Sequence, residues 1–335
     1  MDSFSELPPS PVPAPDQIAT AARILRTGGL VAFPTETVYG LGADAENEAA
    51  VRKIFAAKDR PTDHPVIVHL AESQDMHEWS YDIPKAALRL ADRYWPGPLT
   101  MIVKRSPKAL DVVTGGQDTV GLRVPDHPVA LALLKQFGRG VAAPSANRFG
   151  RISPTLAAHV RQELGDSVDL ILDGGPSRVG LESTIIDLSG DQAMLLRPGA
   201  ISVEQLQAVI GEYLGNAEES KTRASGRLQS HYAPRAQVLV VEPIELPAAM
   251  RRCEEAGERY AVLSDPLVAK AANVHQAHWF KLPADPVVRA QRLYIALRAG
   301  DDAGYPLLIV AHERDPQNRD AAIWDRLQKS AAPRE

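Results

Sequence analysis

Two short polar runs are the first place in this sequence where chemistry could reside. Lys58-Asp59-Arg60 sets two cations two residues apart at the end of a helical stretch, and Ser145-Ala146-Asn147 follows a short apolar run with two neutral donors. A triphosphate needs several fixed donors; arginine offers a planar fork and lysine a point charge. Pro61 and Pro65 stiffen the first run and keep its cations off a helix face. The two runs read as two walls of one site for a nucleotide's phosphates. The plainer reading of Lys58 and Arg60 is a solvated helix end, where cations are favoured.

Other clusters lie around them. Pro34-Thr35-Glu36-Thr37-Val38-Tyr39-Gly40-Leu41-Gly42 packs hydroxyls among glycines directly after an apolar run, as suits a ligand-contacting loop or a plain turn. In Val120-Gly121-Leu122-Arg123-Val124, Arg123 shares a sheet face with Gly121. A cation within an apolar strand needs a partner, either a structural carboxylate or a carboxylate ligand. Gly150-Arg151-Ile152-Ser153-Pro154 adds a hydroxyl before an expected helix, and Ser183-Thr184 and Leu196-Arg197-Pro198-Gly199 complete the set. There is no GxxxxGK[ST] loop, dinucleotide fingerprint, zinc-spaced His/Glu pair or GxSxG elbow. Phosphates would therefore be held by side chains and strand-end loops.

The elements that must position these residues follow from periodicity. Helices are expected at 17–26, 49–57, 83–94, 128–137, 156–164 (with Pro154 at its opening) and 202–210, and strands at 30–33, 65–70, 99–104, 119–124, 140–143, 170–172 and 183–188. Several strands follow one another through short loops, which predicts an α/β domain from 15 to 212 with a mixed twisted sheet and packed helices. Residues 213–235 are polar and read as a linker. From 236 to 335 a second alternation predicts a smaller doubly wound, Rossmann-like domain, with strands at 238–241, 260–263 and 307–310 and helices at 247–256, 286–299 and 321–331. The proline-rich segment 1–14 reads as a disordered tail.

Composition narrows the class. The chain has 335 residues, 44% hydrophobic and 24% charged, as expected of a globular protein with room for two domains. Its net charge of −5 argues against a module built only to grip nucleic acid. One cysteine, Cys253, excludes an internal disulfide and a cysteine-rich zinc site. No run of about 18 apolar residues predicts a membrane span, and the N-terminus lacks the apolar core of a signal peptide. A cytoplasmic location is the expectation.

The runs FPTETVYGLG, KDRPTDHPVIVH, WPGPLT, VGLRVP, APSAN, LESTIID and LRPG, in this order, resemble the threonylcarbamoyl-AMP synthase family of the YrdC-like fold. The resemblance spans about residues 18–235, and Ser230-His231-Tyr232-Ala233-Pro234 is similar to the signature of the family's longer, two-domain form. It implies a nucleotidyltransferase that joins L-threonine, bicarbonate and ATP into threonylcarbamoyl-AMP and pyrophosphate, with Mg2+ accompanying ATP. A separate tRNA-modifying complex would receive the product. It further implies that threonine meets Thr37, His69, Arg123, the Ala143 backbone and Ser183. ATP would meet Lys58, Arg60, His64, Thr119, Ser145, Asn147, Ser153 and Arg197, with Lys58 and Arg60 stabilising the leaving pyrophosphate and Tyr232 covering the nucleotide. No metal-ligating side chain is assigned. His64 stands where the family more usually has asparagine, and its charge depends on pH. His69 has a plain alternative as a core histidine. Two rivals are a non-catalytic RNA-binding module and a carbamoyl-transferring maturation factor. The acidic balance and the lack of interleaved aromatics count against the first, and the single cysteine against the zinc fingers of the second.

Overall fold

The computed structural model describes residues 13–215, 220–226, 228–315 and 317–333. Residues 1–12 of the expected tail, and 216–219 and 227 of the expected linker, lie outside them.

Helix α1 (Pro15–Arg26) buries Ile18, Ala21, Ala22 and Leu25 on one face. Gly28 ends it at φ 76°, a left-handed position that glycine adopts without a Cβ penalty. There follow β1 (Val31–Phe33), β2 (Gly40–Asp44), α2 (Glu48–Lys58), β3 (Val68–His69), α3 (Met76–Trp79), α4 (Lys85–Tyr94), β4 (Leu99–Lys104), α5 (Asp111–Thr114) and β5 (Thr119–Arg123). The first region closes with α6 (Pro128–Phe137), β6 (Val141–Ala142), α7 (Ala157–Leu164), β7 (Leu170–Ile171), β8 (Thr184–Asp187), β9 (Met194–Arg197) and α8 (Val203–Ile210). Its strands form one nine-stranded mixed sheet in the order β7-β1-β2-β6-β3-β5-β4-β8-β9.

The second region holds β10 (Gln237–Val241), α9 (Leu246–Glu255), β11 (Tyr260–Ser264), α10 (Pro266–Ala271), β12 (Trp279–Lys281), α11 (Pro286–Asp302), β13 (Leu307–Ala311) and α12 (Ala321–Ala331). Its sheet runs β10-β13-β11-β12, all parallel, with helices supplying the crossovers. The α/β class, with a mixed sheet followed by a parallel-sheet region, is the one the sequence predicts.

Several elements differ from expectation for local reasons. β2 reads as a loop because of its glycines, yet all five residues are buried, and a Cβ at Gly42 would lie 2.8 Å from atoms of both Phe33 and Val141. Glycine here permits close sheet packing, not a turn. The strand expected over 65–70 shrinks to Val68–His69, although Val66 and Leu70 still donate to the Val113 and Arg123 carbonyls. The helix expected from 156 begins at Ala157 with Leu156 as its cap, so Pro154 lies before the helix and does not open it. β9, β12 and α10 are too short to carry a readable period.

Candidate functional site

The loops at the strand ends of the large sheet converge on one narrow cleft. The loop between β1 and β2 brings Thr35 and Thr37, whose hydroxyls lie 2.8 Å apart, and Thr35 also donates to the Val38 carbonyl at 2.6 Å. β3 and β5 pair in parallel with His69 opposite Arg123, and both line the cleft. Arg123 donates from Nη2 to Glu36 Oε1 at 2.6 Å and from Nε to the Gly97 carbonyl at 3.3 Å. This is the structural carboxylate that a strand-borne cation requires. Nη1 makes no hydrogen bond among the described residues. His69 is buried with Nδ1 unpartnered; burial, reinforced by Arg123, pulls its pKa down to about 3, so it is neutral.

A second wall comes from β8 and β9. Ser183 Oγ lies 2.7 Å from Thr100 Oγ1, and Arg197 donates from Nη2 to Ser183 Oγ at 3.1 Å and from Nε to the Ser183 carbonyl at 3.0 Å. A third wall is Arg60, which follows α2. It donates to the Pro65 carbonyl at 2.9 Å and to Ser225 Oγ at 3.2 Å, and lies over the Phe149 ring. Its Nε is buried without a partner, and burial lowers its pKa to about 10. Ser225, Gly226, His231 and Tyr232 cross the opening from the segment expected as a linker.

Of the residues expected at the site, Thr37, Arg60, His69, Arg123, Ala143, Ser145, Ser183, Arg197 and Tyr232 line this cleft. The Ala143 N–H is already used by the Ile67 carbonyl at 2.9 Å. The other five sit elsewhere. Lys58 is fully buried behind the wall and donates to the carbonyls of Ser145 and Asn147. Burial, then the neighbouring Arg60, pulls its pKa well below the ordinary lysine value. In this arrangement Lys58 holds the Ser145–Asn147 wall in place and does not border the cleft. Asn147 spends its amide on the Arg148 and Arg151 carbonyls, leaving Oδ1 buried and unpartnered; Ser153 is fully buried, with its hydroxyl beside the Glu182 carboxylate. His64 is half-buried against Phe149. Thr119 lines a small adjoining, mostly apolar hollow with Ile102, Gly121 and Ile185, which shares Ile67 and Ser225 with the main cleft.

Sequence reasoning missed Glu182, a cleft-lining carboxylate paired with Arg326 at 2.8 Å and bonded by the Tyr294 hydroxyl at 3.0 Å. Burial raises its pKa, but Arg326 and Arg197 outweigh it and hold it at about 2. The signal was an acidic residue directly before Ser183-Thr184 in LESTIID; its partners lie 112 and 144 positions away. Glu36 was missed for the same reason. Among the described residues no cluster of three or more His, Cys, Asp or Glu could hold a metal, and no helix is long and apolar enough to cross a membrane.

The chain was compared with known proteins. Residues 23–199 match a family model described as "Telomere recombination", and residues 201–332 match one described as "Threonylcarbamoyl-AMP synthase, C-terminal domain". A threonylcarbamoyl-AMP synthase of Bacillus subtilis is 41% identical over 328 residues, covering 95% of this chain and 94% of that one. One of Pyrococcus abyssi is 39% identical over 325 residues, with 95% of both chains covered. A crystal structure of P. abyssi Sua5 complexed with L-threonine superposes with a TM-score of 0.89 at 37% identity, over 96% of each chain.

Proposed function

This chain belongs to the threonylcarbamoyl-AMP synthase family, and we propose that its cleft joins L-threonine, bicarbonate and ATP into threonylcarbamoyl-AMP and pyrophosphate. The observation that carries the reading is the lining of the cleft: guanidinium groups on three walls (Arg60, Arg123, Arg197), hydroxyls of Thr37 and Ser183 between them, and, among the described residues, no hydrogen-bonded nucleophile–base pair. Such a site binds and orients anions.

The chemistry balances without a protein nucleophile. The threonine amine and bicarbonate give N-carboxythreonine with loss of water. One oxygen of that carboxylate attacks the α-phosphorus of ATP, the bond to the β-phosphate bridge breaks, and pyrophosphate leaves with the electron pair. Arg123, with Glu36 fixing its plane, suits the amino acid's carboxylate; neutral His69 and the hydroxyls of Thr37 and Ser183 suit its polar groups. Arg60 suits the departing phosphates, and the apolar hollow beside Thr119 has the character a purine ring needs. Lys58 contributes by fixing the Ser145–Asn147 wall.

Among the described residues Glu182 is the carboxylate that lines the cleft, and it is committed to Arg326 and Tyr294, as Glu36 is to Arg123. Magnesium would arrive on the triphosphate oxygens. The product is a mixed anhydride, so a transferase complex that modifies tRNA is the class of partner that would consume it. The test is pyrophosphate release measured with each substrate omitted in turn.

A further inference from the structure

The last helix grips the cleft from behind. Arg326 on α12 is fully buried. Its Nε donates to Glu182 Oε2 at 2.8 Å, its Nη1 to the Pro198 carbonyl at 3.0 Å, and its guanidinium lies 5.1 Å from the centre of the Tyr232 ring. Glu182 and Tyr232 both line the cleft, while Arg326 belongs to the second region of the chain. Tyr294 on α11 completes the support, bonding Glu182 and stacking on Tyr232 with ring centres 5.9 Å apart. One turn further along α12, Lys329 Nζ donates to the Gly226 carbonyl at 2.6 Å, and the Lys329 carbonyl accepts from His231 N–H at 3.1 Å. Tyr232 itself sits at φ 60°, a left-handed backbone that a non-glycine residue holds only when its surroundings impose it. The Arg326 Nη2 and the Tyr232 hydroxyl are both buried with no partner among the described residues, so this wall carries two uncommitted donors.

We infer that Arg326 is a positioning residue for the nucleotide half of the reaction, acting across the two regions by fixing Glu182 and the Tyr232 ring. The inference rests on the reading that a nucleotide occupies the cleft beside Tyr232. Only a planar fork can serve a carboxylate, a carbonyl and a ring face at once; an ammonium in the same place keeps the charge but loses that geometry. The threonine half, built on Arg123, Thr37, His69 and Ser183, makes no hydrogen bond or ion pair with α12 among the described residues. Disturbing Arg326 should therefore separate the two substrates.

The experiment uses the full chain with Arg326→Lys. Pyrophosphate release is measured while ATP and threonine are varied separately, and a non-hydrolysable ATP analogue is titrated directly. The expected result is a roughly ten-fold weaker analogue and a matching rise in KM for ATP, with KM for threonine within about two-fold of the parent and a near-parental melting midpoint. A second variant, Glu182→Gln with Arg326→Met, removes both buried charges; it should stay weak for ATP, whereas a merely structural ion pair would be relieved by it. Parental ATP affinity in Arg326→Lys, an equal rise of both KM values, failure of that variant to fold, or recovery in the double variant each overturns the inference. A parent enzyme that releases no pyrophosphate would count against the functional reading instead, and the analogue titration would still decide the role of Arg326.

Discussion

Arg123 and Glu36 form an ion pair of 2.6 Å whose side chains are only 5% and 2% exposed. Glu36 also accepts from the Asp126 N–H at 3.0 Å, so the carboxylate is fixed at both oxygens and in turn fixes the guanidinium. Breaking a buried pair by neutralising one partner costs about 3–5 kcal/mol. Glu36→Gln should accordingly lower the melting midpoint by roughly 5–10 °C and raise KM for threonine about ten-fold while KM for ATP stays close to the parent's. Thermal melts and substrate titrations check this; an unchanged threonine KM would show that Glu36 does not orient Arg123.

Lys58 and Arg60 are near in sequence but should fail differently. Arg60→Ala removes a cleft donor and leaves the wall standing, so pyrophosphate release should fall by at least about 100-fold with a melting midpoint near the parent's. Lys58→Met removes the hold on the Ser145 and Asn147 carbonyls and strands both buried acceptors. It should lose activity and also stability, by about 2–4 kcal/mol. Urea unfolding distinguishes the two: equal stability in both variants would contradict the separate placements.

How far the sequence could be read is visible at these same positions. Helix α1 and the strands around Leu99–Lys104 and Thr119–Arg123 were legible because their apolar period is strong and local. The cations, hydroxyls and Tyr232 were legible as residue types in ordered runs. Lys58 facing inward was not, because the fold turns α2 so that its last residue is covered, and spacing alone does not reveal that. Glu36, Glu182 and Arg326 were illegible as a group. Each is an ordinary charge in sequence, and its meaning comes only from a partner more than 80 positions away.

Two buried imidazoles, His69 and His231, and the half-buried His159 set a pH dependence. His69, His159 and His231 each have their pKa lowered to about 3, mainly by burial, against an ordinary value of 6.5. Above pH 6.5 folded and unfolded chains are both neutral at these sites. As pH falls below 6.5 the unfolded chain takes up protons that the folded chain refuses until about pH 3, so stability declines through that window. Glu182, held at about 2 against an ordinary 4.5, adds a further loss only below about pH 4.5. Between pH 6.5 and 4.5 the slope therefore belongs to histidines, each contributing about 1.4 kcal/mol per pH unit. His69→Gln should flatten it by about one proton in urea unfolding at stepped pH; a parental slope would refute the neutral His69.

Removing residues 236–335 would uncover Val38, Ile152, Leu181 and Tyr232, which pack in one apolar cluster with Tyr294, Leu297 and Leu327. The truncated chain should bind an ATP analogue at least about ten-fold more weakly, because Tyr232 loses both the ring of Tyr294 and the guanidinium of Arg326. Calorimetric titration of the truncated chain checks this, and parental affinity would mean that the second region is not needed to seat Tyr232.

The account stands most directly on one measurement: pyrophosphate release by the purified chain supplied with ATP, threonine and bicarbonate, and with each of the three withheld. Release that requires all three together, with AMP recovered as the threonylcarbamoyl adduct, is the predicted result. Release from ATP alone, or none in the complete mixture, would contradict it.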